Sequence, residues 1–185
     1  LLALLPPRLR AMEAVIPPIS LRGAWTDAPA RVPAVGERRR RVGLLLGCVQ
    51  RVFFDNVNAA TIRVLTAEGC EVVIPPSQGC CGALMLHAGL EEDAAAMARR
   101  FIDAFDTEAA DVDTIVINSA GCGSSLKEYG HLLRDDPRYA ARAQALADKC
   151  KDIAELLAEM EPRAARHPVP LTVAYHDACH LQHAQ

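Results

Sequence analysis

The chain has 185 residues, of which 51% are hydrophobic and only 4% are aromatic, and its formal net charge is −3. A chain of this length and composition forms roughly one domain with its own core, which excludes a disordered or collagen-like polypeptide. Proteins that bind nucleic acid usually carry a basic face, which this charge balance does not indicate. We therefore expect a globular protein with no nucleic-acid partner.

The seven cysteines are predicted to be reduced. Their number is odd, the chain is longer than small disulfide-stapled domains, and no charged segment followed by an apolar segment opens it. Reduced thiols are typical of the cytosol, where cysteines bind metals or carry out redox chemistry. We therefore expect a cytoplasmic protein with a metal or redox site.

Residues 1–40 are predicted to be a proline-rich linker. The proline pairs Pro6-Pro7 and Pro17-Pro18 exclude a long helix. The apolar run Leu1–Leu5 is far shorter than the ~20 residues that cross a bilayer. The basic run Arg38–Arg41 has the charge to contact anionic lipid or a partner, but such runs at a domain boundary are usually solvated, and we interpret it in that way.

From residue 41 onward the sequence pattern predicts alternating strands and helices. Short apolar runs, typical of strands that are buried on both faces, are Val42–Leu46, Glu71–Ile74, Asp113–Asn118 and Leu171–Tyr175. This alternation predicts an α/β fold, a Rossmann-like parallel sheet with helices on both faces.

Helical periodicity fills the intervals between these strands. The apolar helix faces are expected to comprise Phe54, Val57, Thr61, Val64 and Leu65 before a cap at Gly69, and Met97, Phe101, Ala104 and Phe105 after the acidic turn Glu91–Asp93. Two further helical segments are predicted at Leu126–Leu133 and Arg138–Met160.

Most of the cysteines directly follow predicted strands. Ligands of parallel α/β sheets bind beyond the carboxyl ends of the strands, and the cysteines expected at that edge are Cys48, Cys80, Cys81, Cys122 and Cys179. The two others, Cys70 beside a helix end and Cys150 inside a helical segment, are interpreted as ordinary core or surface residues.

Several thiolates at one edge favour an iron–sulfur cluster, zinc or copper(I). Adjacent residues such as Cys80 and Cys81 are poor ligands for one tetrahedral zinc, because their side chains diverge, and they suit a cluster better. Glycines beside the thiols, including Gly82 and Gly121, allow backbone N–H groups to approach sulfur. A zinc-stabilised interaction module and a thiol–disulfide enzyme acting through Cys80-Cys81 are the alternatives.

The cysteine spacing resembles a known family. Cys48, thirty-one residues, Cys80-Cys81-Gly82, thirty-six residues and then Ser119-Ala120-Gly121-Cys122 are similar to the cysteine-rich CCG domain, in which a cysteine precedes Cys-Cys-Gly and a final Cys-x-x-Cys. This family includes a cysteine-rich subunit of heterodisulfide reductase and iron–sulfur subunits of lactate utilisation, of anaerobic glycerol-3-phosphate dehydrogenase and of glycolate oxidase. The stretches Gly43–Gln50 and His176–Gln185 are most similar to the glycolate oxidase subunits.

The resemblance implies a 4Fe-4S cluster held by Cys48, Cys80, Cys81 and Cys122, with Gly82 and Gly121 beside it. Ser119 stands where the family has a cysteine, so the five-thiolate set of the non-cubane cluster in heterodisulfide reductase is incomplete. Four thiolates are enough in number for an ordinary cluster. Ser119 and Cys179 are further candidate ligands.

The segment Tyr175–Leu181 resembles the start of a second CCG domain. We therefore expect a linker over residues 1–40, a first CCG domain over 41–165 and the start of a second over 166–185. The chain does not begin with Met and stops shortly after Cys179, so we expect a fragment that lacks an N-terminal ferredoxin part and most of the second domain.

The resemblance also implies an electron-transfer role, with no catalytic residue in this chain. In glycolate oxidase, FAD on a partner subunit would oxidise glycolate to glyoxylate, and iron–sulfur centres would carry the electrons toward a quinone acceptor at the inner face of the cell membrane. A lactate or glycerol-3-phosphate dehydrogenase complex is the alternative, because the partner selects the substrate. His176, His180 and His183 are candidates for metal ligation or proton relay, or for structural roles alone.

Overall fold

The structure is a computed structural model, and it describes residues 6–15, 28–176 and 178–183. Residues 1–5 and 16–27 of the predicted linker lie outside the described residues, as do Asp177, Ala184 and Gln185 of the predicted second domain.

Strands and helices alternate along the described chain. The strands are β1 (Arg31–Val32), β2 (Arg40–Leu44), β3 (Cys70–Val73), β4 (Thr114–Ile117) and β5 (Cys150–Asp152). The helices are α1 (Pro7–Glu13), α2 (Cys48–Phe53), α3 (Asp55–Ala67), α4 (Ala83–His87), α5 (Glu91–Glu108), α6 (Ala120–Lys127), α7 (Tyr129–Leu132), α8 (Ala140–Ala147), α9 (Ile153–Glu159) and α10 (Cys179–His183). None of these described helices has the length and hydropathy that a bilayer crossing requires.

The strands form one sheet in the order β1-β3-β2-β4-β5. β2 to β5 are parallel, and β1, which lies within the predicted linker, pairs antiparallel with β3 at the edge. Val42 in β2 is in register with Val72 on one side and with Thr114 on the other. The predicted parallel α/β sheet is confirmed, and the chain reverses its direction of travel across the sheet between β2 and β4, where such folds bind ligands.

Helices cover both faces of the sheet, as predicted. Side chains alternate between the faces along a strand, so one face presents Val42, Leu44, Leu46, Val72, Ile74 and Val116 to Leu65 of α3 and Leu156 of α9. The other face presents Leu45, Val73, Ile115 and Ile117 to Phe101 and Phe105 of α5 and Leu126 of α6. The predicted apolar face of α5 is confirmed at Phe101, Ala104 and Phe105, which are buried, whereas Met97 is half-buried.

The predicted fourth strand is wrong. Leu171–Tyr175 forms no strand, and Leu171, Val173 and Tyr175 are 70–79% exposed. The fourth parallel strand is instead β5, which interrupts the segment predicted to be one helix over Arg138–Met160. Because β5 is only three residues long and has Lys151 at its centre, it lacks the apolar run that identified the other strands.

The helix predicted to end near Gly69 is confirmed as α3, and Gly69 follows it with a φ of 91°, as a C-terminal cap requires. Its buried face differs from the predicted one. Thr61 and Leu65 are buried together with Asn58 and Thr66, whereas Phe54, Val57 and Val64 are 37–41% exposed. Polar side chains therefore occupy part of this helix's inner face.

The basic run Arg38–Arg41 is tied into the fold by hydrogen bonds and ion pairs. Arg38 bonds to Glu71 at 2.7 Å, Arg39 donates to the Glu161 carbonyl at 2.8 Å and Arg40 lies 3.8 Å from Glu159. Arg41 pairs with Asp111. These contacts pair the charges within the chain, while Arg38 and Arg39 stay exposed to solvent as the sequence predicted.

Glu68 anchors the segment after α9 to the C-terminal end of α3. Its buried carboxylate accepts hydrogen bonds from the backbone N–H of Arg163 at 2.6 Å and from the Arg166 guanidinium at 2.9 Å. The bond from the Arg163 backbone is the main reason why the pKa of Glu68 lies below its ordinary value.

We expect Gly43→Ala to destabilise the fold. A Cβ at Gly43 would lie 2.7 Å from Cε1 of Phe105, so the substitution overpacks the core and should cost about 1–3 kcal/mol of unfolding free energy. Urea denaturation measures this loss. Gly79→Ala is the matched control, because a Cβ there meets nothing within 4 Å; equal stabilities of the two variants would contradict the steric argument.

We expect Glu68→Gln to lower the unfolding free energy at pH 7 by about 1–3 kcal/mol, because hydrogen bonds to a buried charge are lost. The folded pKa lies below the ordinary value of 4.5, so the stabilisation is present above that pH and disappears as the pH falls through the folded pKa. Denaturation at several pH values should show the gap between wild type and variant closing in acid. The exposed Glu128→Gln is the control, and a gap independent of pH would refute the ionic contribution.

Candidate metal centre

Four of the five strand-end cysteines line one pocket of about 340 Å³ at the carboxyl edge of the sheet. Cys48 begins α2 just after β2, Cys80 and Cys81 lie between β3 and α4, and Cys122 lies in the first turn of α6 after β4. A water molecule needs about 10–15 Å³ of such space, so the pocket has room for a polynuclear group. The structure brings these four thiols together at one pocket, as the sequence predicted.

The four thiols form two close pairs. Sγ of Cys48 lies 3.4 Å from Sγ of Cys80, and the thiol of Cys81 is hydrogen-bonded to that of Cys122. Cys48 is exposed, Cys80 and Cys122 are half-buried and Cys81 is buried. In the part of the chain that the structure describes, no group of three or more His, Cys, Asp or Glu side chains is arranged around a single-ion site.

The pairing sets the acidity of the thiols. The hydrogen bond from Cys81 is the main cause that lowers the pKa of Cys122 to about 7, and a further bond from Ser119 acts in the same direction. The same pairing, with burial, raises the pKa of Cys81. Burial is the main cause that raises the pKa of Cys48. One thiolate, on Cys122, is therefore available near neutral pH, and thiolates are the form that binds metals.

Two glycines give the thiol loops their shape. Gly47 before Cys48 and Gly82 after Cys81 have positive φ values of 70° and 82°. A Cβ at Gly82 would also lie 3.1 Å from the carbonyl oxygen of Ala94, so a side chain is excluded there by both conformation and space. The Gly82 N–H donates to Sγ of Cys80 at 3.4 Å, which is the backbone contact to sulfur that the sequence predicted.

Ser119 and Gly121 also line the pocket. Ser119 precedes α6, and its side chain is hydrogen-bonded to Cys122, so in this arrangement it supports a thiolate. Gly121 has open space where a Cβ would lie, and its carbonyl accepts a bond from Ser124 at 3.2 Å.

The remaining cysteines lie apart from these thiols. Cys70 and Cys150 are buried in the two cores, as interpreted from the sequence. Sγ of Cys70 contacts Sδ of Met160 at 3.9 Å, and burial raises the pKa of Cys150 to about 12. Cys179 is exposed in α10, which packs against α6.

The C-terminal histidines include one neighbour of the pocket. His180 of α10 contacts His87 edge to face, with ring centroids 5.4 Å apart, and His87 lines the pocket. His176 and His183 are exposed. His87 was not identified from the sequence, because a lone histidine in a short helix carries no recognisable pattern.

Sequence reasoning also missed the side chains that hold the thiol loops. Tyr129 is buried, and its hydroxyl donates to the Cys81 carbonyl at 2.7 Å. Gln78 donates to the Leu44 carbonyl at 3.1 Å and accepts from the Leu46 N–H at 2.9 Å, which ties the Cys80 loop to the end of β2. The nearness of Gln78 to Cys80 was the available signal in the sequence.

We expect Cys122 to be the thiol of this group that reacts at neutral pH in the reduced, metal-free chain. Its alkylation by iodoacetamide, followed by peptide mass spectrometry, should rise through about pH 7, while Cys150 stays unreactive. Ser119→Ala should move the Cys122 profile to higher pH, because a hydrogen bond to the thiolate is lost. Ser124→Ala is the control, because the Ser124 hydroxyl donates to the Gly121 carbonyl. An unchanged Cys122 profile in Ser119→Ala would exclude the Ser119 hydrogen bond as a cause of the lowered pKa.

Comparison with known proteins agrees with this site. Residues 42–127 match the family CCG, cysteine-rich domain. The chain is 40% identical over 98% of its length to the probable glycolate oxidase iron-sulfur subunit of Bacillus subtilis, and 41% identical over 80% of its length to the glycolate oxidase iron-sulfur subunit of Escherichia coli. It is 32% identical over 76% of its length to lactate utilization protein A of Bacillus licheniformis.

The chain spans 41% and 36% of the length of the two glycolate oxidase subunits and 58% of that of the lactate utilization protein. No solved structure matches it significantly. The matched residues contain all four thiols of the pocket. Residues 42–127 of this chain are therefore similar to the cysteine-rich CCG domain.

Proposed function

We propose that this chain holds a 4Fe-4S cluster on Cys48, Cys80, Cys81 and Cys122 and belongs to an electron-transfer subunit of an oxidoreductase complex. The observation that carries the proposal is the convergence of these four thiols, from three separate loops, on one pocket. The names of the relatives support it, since two of them are described as iron-sulfur subunits.

The donor set fits such a cluster. Thiolates are the ligands by which proteins characteristically hold iron–sulfur clusters, and four are sufficient. The residues around them suit a bound cluster: the Gly82 N–H donates to a ligand sulfur, and the apolar side chains of Val49, Phe54 and Leu84 line the pocket. When bound, the cluster would supply one-electron transfer.

We further propose that the complex oxidises a small hydroxylated metabolite, with the 2-hydroxy acid glycolate as the leading candidate and the 2-hydroxy acid lactate or the alcohol glycerol 3-phosphate as alternatives. Oxidation of glycolate to glyoxylate releases two electrons, which FAD on a partner subunit would collect together and iron–sulfur centres would relay singly toward a quinone acceptor. The names of the relatives support glycolate and lactate. In this assignment the chain is cytoplasmic and peripheral to the inner face of the membrane.

The proposed organisation follows the cysteine pattern. We assign residues 1–40 to a linker, 41–165 to a first CCG domain and 166–185 to the start of a second, in which Cys179 would serve another site. Cys179 lies in α10 and is not among the residues that line the pocket of the four thiols, which supports this separation.

Anaerobic reconstitution of the chain with iron and sulfide tests the cluster assignment. We expect broad visible absorption, an EPR signal after one-electron reduction, and iron and sulfide in equal amounts. Single substitutions of the pocket thiols by serine should lose or alter the cluster, because each removes one ligand. Bound zinc in a colourless chain would instead favour the interaction module, and a metal-free chain with a titratable dithiol would favour disulfide exchange.

Cysteines outside the pocket provide the controls. Cys70→Ala, Cys150→Ala and Cys179→Ser should keep the iron content and the EPR spectrum of the wild type, because these residues lie in the cores or in α10. Circular dichroism confirms that each variant is folded. A folded Cys48→Ser or Cys122→Ser variant with an unchanged cluster would refute the ligand assignment.

A further inference from the structure

The side chain of Asn118, at the end of β4, joins polar groups from α2 and α3. Its Nδ2 donates to Oδ1 of Asn58 and to Oγ1 of Thr61, at 2.9 Å in each case. Its Oδ1 accepts from Nε2 of Gln50 at 3.3 Å. Both N–H groups of the amide and its oxygen are therefore engaged.

The orientation of this amide follows from the group on its other side. Nδ2 of Asn58 donates to the Leu46 carbonyl at 2.9 Å, so only Oδ1 of Asn58 is available to Asn118. Rotating the Asn118 amide by half a turn would oppose two oxygens. The network is thus satisfied in one arrangement, and Asn58 and Thr61 are only 4–5% exposed, so water competes little for these bonds.

The network connects two of the thiol-bearing loops. Leu46 and Gln50 lie two residues before and two residues after Cys48, and Asn118 lies four residues before Cys122. The bonds from Asn58 and Asn118 therefore hold the Cys48 loop on both sides and link it to the β4–α6 turn. The neighbouring strands β2 and β4 bring these loops together at the point where the strand order reverses.

The third loop has separate anchors. Gln78 ties the Cys80 loop to β2, and Tyr129 bonds to the Cys81 carbonyl. A change at Asn118 is therefore expected to alter the placement of Cys48 relative to Cys122 and to leave the Cys80-Cys81 loop in position.

We propose that Asn118 is a positioning residue that fixes the spacing of Cys48 and Cys122, and thereby the geometry and reduction potential of the group they hold. This inference rests on the proposed function, because it concerns the same thiols. Side chains behind metal ligands orient those ligands, and their loss commonly weakens metal affinity 10–100-fold. Asn118 has that place in the network, since its bonds reach the thiol loops through Gln50 and Asn58.

The test compares Asn118→Ala with Asn56→Ala in the reconstituted chain. Asn56 is an exposed asparagine at the start of α3, so its replacement is the matched control. Asn118→Ala should release iron to a chelator about tenfold faster or more. Its EPR spectrum and midpoint potential should also shift, which a loss of overall stability alone would not produce, while Asn56→Ala should match the wild type.

Gln50→Ala is the second variant, and it removes only the half-buried bond to α2. It should speed iron release and shift the midpoint potential in the same direction as Asn118→Ala, but by a smaller amount. If Asn118→Ala fails to fold, Gln50→Ala still tests the proposal. The double variant should release iron no faster than Asn118→Ala, because Gln50 acts through Asn118. Wild-type iron release and potential in both single variants would overturn the proposal.

Hydrogen exchange tests the positioning role of Asn118 independently of cluster binding. If the wild-type chain takes up no cluster, the cluster assignment fails, but positioning can still be measured in the metal-free chain. Amide exchange in Cys48–Phe53 and in the first turn of α6 should then be faster in Asn118→Ala than in Asn56→Ala. Equal exchange in the two variants would refute the positioning role.

Discussion

The parallel register of β2, β3 and β4 is the constraint on which the site depends. Val42 pairs with Val72 on one side and with Thr114 on the other, so the three strands end at nearly the same level. Each strand is then followed by a turn or loop, and its thiols lie in that loop or in the first turn of the next helix. Because strands in a sheet lie about 5 Å apart, thiols from adjacent turns reach one another without any long loop. The pair Cys48–Cys80 follows the adjacent strands β2 and β3, whereas Cys81 and Cys122 follow β3 and β4 on either side of β2 and meet across the end of that strand. The hydrogen bond between these two thiols lowers the pKa of Cys122.

Polar contacts hold the same edge in addition to apolar packing. Tyr129, Gln78 and Asn118 each bond to a loop that carries a cysteine or to a side chain within it. Directional bonds of this kind specify one arrangement, whereas apolar contacts would tolerate sliding. Part of the inner face of α3 is consequently polar, with Asn58 and Thr61 buried there. Positions that would otherwise add to the core contribute instead to the placement of the thiols.

The sequence predicted the features that produce a repeating pattern of residues along the chain. Alternating apolar runs and periodic helices indicated the parallel sheet, and the positions of cysteines after strands indicated the four-thiol pocket. It did not predict β5, because Cys150-Lys151-Asp152 is too short to show a period, and it assigned Leu171–Tyr175 to a strand because that segment is a short apolar run. The network around Asn118 was missed for a different reason: buried polar residues on a helix contradict the rule that identifies its inner face.

The segment after α9 shows how the rest of the chain approaches the site. Glu68 holds residues 163–166 at the C-terminal end of α3, which is the edge of the sheet opposite the thiols. α10 nevertheless packs against α6, and its His180 contacts His87 at the pocket. The exposed residues 167–176 must therefore run from one edge of the sheet to the other. Leu171, Val173 and Tyr175 are exposed along this path, because the described chain offers no neighbouring strand with which this segment could pair.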